Sequence, residues 1–120
     1  MAKVLLVGED IGVVDVMASS IEGLGYDVIT LYESIDAVET VISEFPDLVI
    51  IGEKMNVFNG FEIADALQGD PDVDDELPVL MMTKRSISSQ DLARAGIRDT
   101  ILPEIDPASL REILVLHTGE

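Results

Sequence analysis

What most constrains this chain is the end-to-end alternation of short, β-branched apolar runs with amphipathic stretches of helical spacing. Val4–Val7, Leu48–Ile51 and Val79–Met82 are continuously apolar, as strands are when both faces of a sheet are covered. Val28–Tyr32 is broken by Thr30 and Ile101-Leu102 is short, which places both at sheet edges. Between the runs, Val14/Met17/Ala18/Ile21, Val38/Val41/Ile42/Phe45 and Leu110/Ile113/Leu114/His117 each follow i, i+3, i+4, i+7, one stripe per helix. Gly25 and Gly96 suit helix C-termini, and Ser34 and the Ser88-x-x-Asp91 pair suit N-termini. Strand–helix units repeated in this way, with right-handed crossovers, predict an α/β fold. The expected form is a doubly wound, five-stranded parallel sheet of order 2-1-3-4-5, in a single three-layer α/β/α domain over residues 1–120.

Ligands of such open sheets bind at the carboxyl ends of the strands where the order reverses, here the first and third. Those ends read Gly8-Glu9-Asp10 and Gly52-Glu53-Lys54, a crevice rimmed by acid and floored by glycine. Composition narrows the chemistry further. Seven basic residues against 24 acidic ones give a net charge of −17, a field that repels nucleic acid and anionic membranes and favours basic protein surfaces. The acidic run Asp70–Glu76 reads as a solvated loop, because it lacks the glycine turn and terminal glutamate of a calcium loop. With no cysteine and one histidine, thiolate chemistry, zinc sites and histidine-dependent triads lack their parts. No apolar run approaches the ~18 residues of a membrane span, and Met1-Ala2-Lys3 leads straight into Val4 with no signal-peptide pattern. A cytoplasmic, non-enzymatic domain without cofactor is the expectation.

A set of short motifs in fixed order carries a resemblance. Lys3-Val4-Leu5-Leu6-Val7 precedes an acidic turn, Gly23-Leu24-Gly25-Tyr26 precedes the second strand, and Phe45-Pro46-Asp47-Leu48-Val49 enters the third. Phe58-Asn59-Gly60-Phe61-Glu62, Leu77-Pro78-Val79, Ala95-Gly96 and Asp106-Pro107 follow in order. From Lys3 to about Leu116 the chain resembles a response-regulator receiver domain of two-component signalling, with the flavodoxin-like (CheY-like) fold. The resemblance implies phosphoryl transfer from a histidine kinase to an aspartate at the end of the third strand. It also implies a magnesium ion held by acids after the first strand, a hydroxyl on the fourth and a lysine on the fifth.

Residue by residue, the chain departs from that pattern. The phosphoacceptor position falls on Gly52, and the acidic pair falls on Gly8 and Glu9, leaving Glu9 and Asp10 as weak candidates for a metal. The hydroxyl is kept as Thr83; the lysine falls on Pro103, the following proline on Glu104 and the aromatic switch residue on Thr100. Glu53, one residue along the strand, is expected to point away from the crevice. Lys84, together with Lys54, is expected to plug the vestigial pocket by neutralising Glu9, Asp10 or Glu53, with Lys84 paired to Glu9 or Asp10 as the mark of a collapsed site. His117 is expected to lie in the last turn of its helix, where it suits the dipole. The resemblance places contact surfaces on the fourth helix, fifth strand and fifth helix, here Ser88, Leu92, Thr100, Leu110 and Leu114, with Val115 and Leu116 widening the last stripe. The reading is a degenerate pseudo-receiver that works as a protein-interaction module with a signalling or output protein, a homodimer through the same face being one form. The alternative is a small-molecule or anion sensor using the vacant crevice. A conventional regulator phosphorylated at an unexpected acceptor, and an enzyme on this architecture, rank below both; for the enzyme, no nucleophile–base pair, metal cluster or cofactor fingerprint is visible to carry catalysis.

Overall fold

A computed structural model describes residues 2–120. The strands are β1 (Lys3–Val7), β2 (Asp27–Leu31), β3 (Leu48–Gly52), β4 (Val79–Met82) and β5 (Asp99–Ile101). The helices are α1 (Ile11–Gly23), α2 (Ala37–Glu44), α3 (Gly60–Gly69), α4 (Ser89–Ala95) and α5 (Pro107–Thr118), with a 3-10 turn at Ser34–Asp36 before α2. All neighbouring strands are parallel, in the order β2-β1-β3-β4-β5.

The period of two along each strand divides the core between the two faces. Val4, Leu6, Leu48, Ile50, Leu80 and Met82 pack with Val14, Met17 and Ile21 of α1 and Leu110 and Leu114 of α5. Leu5, Val7, Val49, Ile51, Val79 and Met81 pack with Ala37 and Val41 of α2, Ile63, Ala64 and Leu67 of α3, and Ala95 of α4. That is why the central runs carry no polar alternation.

Local signals set most boundaries. The Ser88 hydroxyl accepts from Asp91 N at 3.1 Å, and Gly96 caps α4 in the left-handed region at φ 74°. Gly25, at φ 98°, follows Leu24, the C-cap of α1. Asn59 and Glu62 form a reciprocal capping box on α3, and Asp106 caps α5 ahead of Pro107.

Four expectations need correction. β5 begins at Asp99, because an edge strand tolerates the half-buried Asp99 and Thr100, and Leu102 lies beyond it, exposed. Phe45 is off the α2 stripe: the following Pro46 prevents the helix from continuing, so Phe45 turns to φ 50° and is 79% exposed. Ser34 opens the 3-10 turn but does not cap it; its buried hydroxyl accepts from Phe58 N at 3.0 Å, tying the β2–α2 and β3–α3 connections together. Leu110 and Leu114 are fully buried core residues and offer no contact surface; the exposed apolar positions of α5 are Val115 and Leu116.

Leu114→Ala is accordingly expected to cost about 2–5 kcal/mol in urea unfolding, and Leu116→Ala no more than ~0.5 kcal/mol. Equal losses at the two sites would contradict this assignment of the α5 faces.

Candidate functional site

The order reversal between β1 and β3 opens a crevice of about 430 Å3 at the strand carboxyl ends, lined by Asp10, Val13, Glu53, Lys54, Met82, Thr83, Lys84, Arg85 and Pro103. Of the residues nominated from sequence, it brings together Asp10, Lys54, Thr83, Lys84 and Pro103. Gly8, Glu9 and Gly52 flank it without lining it.

The glycines there differ in why they are glycine. A Cβ on Gly60 would stand 2.5 Å from the Gly52 carbonyl oxygen, so only glycine lets the start of α3 approach the end of β3. A Cβ on Gly8 would stand 2.8 Å from Cγ2 of Val14, which fills that space from α1. At Gly52 the nearest atoms would be the Val7 carbonyl oxygen at 3.6 Å and Gly8 Cα at 3.8 Å, ordinary contacts. Nothing in the packing requires glycine at position 52.

The acids after β1 are already engaged. Both carboxylate oxygens of Glu9 accept from Asn56 N at 2.9 Å, and Asp10 caps α1 by accepting from Val13 N at 3.2 Å. Among the described residues, no group of three or more histidine, cysteine or acidic side chains is arranged to hold a metal ion. Magnesium demands near-octahedral oxygen ligation, and side-chain donors are absent from Gly8 and Gly52, so the residues present do not fit that ion.

Glu53 departs from expectation. It lies in a bend just past the end of β3, where strand alternation no longer applies, and its side chain turns into the crevice, 12% exposed. The Thr83 hydroxyl donates to Glu53 Oε1 at 2.7 Å, and the Arg85 guanidinium donates from Nε to Oε2 and pairs with it through its terminal nitrogen. Burial alone would raise the Glu53 pKa. The bonds from Thr83 and Arg85 and the charges of Arg85 and Lys54 outweigh it and hold the carboxyl below its ordinary value.

The cation ion-paired within the crevice is therefore Arg85. Lys84 is exposed and makes no ion pair with Glu9 or Asp10, and Lys54 likewise has no ion pair among the described residues. The one sequence signal for Arg85 is its place two residues past Thr83, where a tight turn returns Arg85 N to Thr83 Oγ1 at 3.2 Å. On the opposite flank, Ser88 is the α4 cap, Leu92 is half-buried against the α2–α3 side and Thr100 is half-buried on the edge strand. His117 lies in the last turn of α5, its Nε2 3.6 Å from Asp99 Oδ2.

This architecture is that of a signalling receiver, and comparison with known proteins agrees. Residues 4–115 match the family described as the response regulator receiver domain, and the chain belongs to that family. Over 114 residues it is 30% identical to the response regulator MprA of Mycobacterium tuberculosis, covering 93% of this chain and 47% of the relative. The chain thus spans about half the length of the curated relatives it matches. The chemotaxis protein CheY4 of Vibrio cholerae superposes with a TM-score of 0.88 at 24% identity, covering 98% of each chain. The receiver domain of the sensor histidine kinase PA1611 of Pseudomonas aeruginosa, solved with magnesium coordinated in its active-site cleft, superposes at 0.87 and 20% identity, covering 99% of this chain and 98% of its own.

A lowered folded-state pKa makes Glu53 stabilising above its ordinary value of 4.5, and that contribution is lost as pH falls through the folded value. In urea titrations the native chain is expected to exceed Glu53→Gln in stability by a margin that is constant above about pH 5 and closes as pH falls below the ordinary value through the lowered, folded one. A margin that widens in acid would refute the assignment.

Proposed function

We propose that this chain is a receiver domain that has lost aspartyl phosphorylation and acts in the cytoplasm as a phosphorylation-independent protein-interaction module. The observation that carries this reading is the residue at the end of β3. Gly52 presents no carboxylate where the resemblance to receivers puts the phosphoacceptor, although a Cβ there would meet only ordinary contacts. The neighbouring carboxylate does not replace it, because Thr83 and Arg85 already occupy the oxygens of Glu53. Receiver switching needs a phosphoryl group that biases a two-state equilibrium. With Pro103 in place of the lysine and Thr100 in place of the aromatic, the parts that would respond are missing as well.

Magnesium of the kind named for the PA1611 receiver enters no step here, since Glu9 and Asp10 are engaged by backbone N–H groups. Association is assigned to the α4–β5–α5 side, through Val115, Leu116 and the half-buried edge residue Thr100, in place of the buried leucines. A net charge of −17 selects a basic partner surface and raises the association rate.

The sensor reading keeps one observation in its favour. Three of the seven cationic side chains, Lys54, Lys84 and Arg85, line a single crevice in an otherwise acidic chain.

Incubation with magnesium and acetyl phosphate, followed by intact-mass measurement, is expected to leave the native chain unmodified. A stoichiometric gain of about 80 Da, one phosphoryl group, would overturn the proposal.

A further inference from the structure

We propose that Glu53 is a tethered anion that latches the β4–α4 segment, holding the α4 side of the domain in place by an internal charge. β4 ends at Met82 and α4 begins at Ser89, so residues 83–88 connect a central strand to a helix of only seven residues. Such a helix has little stability of its own and depends on its attachments. Its C-terminal attachment is firm: Gly96 caps it, Ile97 N donates to Leu92 O at 2.9 Å, and Ala95 and Ile97 are buried.

At its N-terminal end, Lys84, Arg85 and Ser86 are exposed, and Ile87, half-buried against the α2–α3 layer, is the one apolar anchor of the connection. The backbone of Thr83 is fixed to β5 by its N–H donating to Ile101 O at 3.0 Å. Beyond Thr83, the tie runs through the Glu53 carboxylate. One oxygen takes the 7%-exposed Thr83 hydroxyl, the other takes Arg85, and Arg85 N closes the turn back onto Thr83 Oγ1. This is a small oxyanion site filled by the chain's own side chain, and the ionised partners make its bonds charge-assisted and strong. Glu53 N donates to Met82 O at 3.3 Å, and Gly60 N donates to Glu53 O at 2.9 Å, which anchors the latch to β4 and to the start of α3. The other charges facing it are Lys54 beside it and Asp10 and Lys84 across the crevice. Removing the Glu53 charge frees the 83–88 connection and, through it, α4, while the sheet stays intact.

Hydrogen exchange of the native chain, Glu53→Gln and Arg85→Gln at neutral pH, read without phosphodonor or partner, tests this independently of the function proposed above. Both variants are expected to accelerate exchange across Thr83–Gly96 by at least about tenfold, as for the loss of charge-assisted bonds, with β1 and β3 amides at native rates. The double variant is expected to add little to either single one. Native rates in Thr83–Gly96, or acceleration spread evenly over the chain, would overturn the latch. Should Glu53→Gln not fold, Arg85→Gln carries the test, because its side chain is 58% exposed and its loss leaves the core untouched.

Discussion

Everything in this molecule depends on burying both faces of one parallel sheet. A parallel strand cannot follow its neighbour through a tight hairpin, so each connection crosses over a face and brings a helix with it. The helices divide between two apolar layers, α1 and α5 against one face and α2, α3 and α4 against the other. Because every strand enters from the same end, every strand-to-helix connection emerges at the opposite one. Residues from distant parts of the sequence, such as Asp10, Glu53 and Thr83, meet there as a consequence of that burial.

Given that frame, the crevice is an exercise in charge placement within an acidic chain. Its carboxylates are engaged one by one: Glu9 by a backbone amide of the β3–α3 connection, Asp10 by the first turn of α1, Glu53 by a hydroxyl and a guanidinium. Of these, the half-buried Glu53 is held below its ordinary pKa because the hydrogen bonds and charges it receives outweigh its burial. All three acids hold connections in place, each through hydrogen bonds to a neighbouring segment.

How much of this was legible in the sequence follows from which forces were local. The central strands, their order and the caps at Ser88, Gly96 and Asp106 are written in short-range pattern, and the structure agrees with them. β5 was misplaced because an edge strand does not need apolar residues at every position. Phe45 shows proline overriding a helical stripe, and Leu110 and Leu114 show that a stripe marks burial, not docking. Glu53 was aimed the wrong way because alternation holds only while the strand lasts, and β3 stops one residue earlier. Arg85 escaped notice because its role depends on a partner 32 residues away, a relation that no spacing rule encodes.

The two glycines flanking the crevice differ in what a substitution would meet. A Cβ at position 52 meets only ordinary contacts, whereas one at position 8 would stand 2.8 Å from Cγ2 of Val14, which fills that space from α1. An acidic side chain at position 8, just past β1, would therefore need a residue smaller than Val14 on α1. Core packing thus reaches to the rim of the crevice, and through Val14 it decides which of the two positions tolerates a side chain.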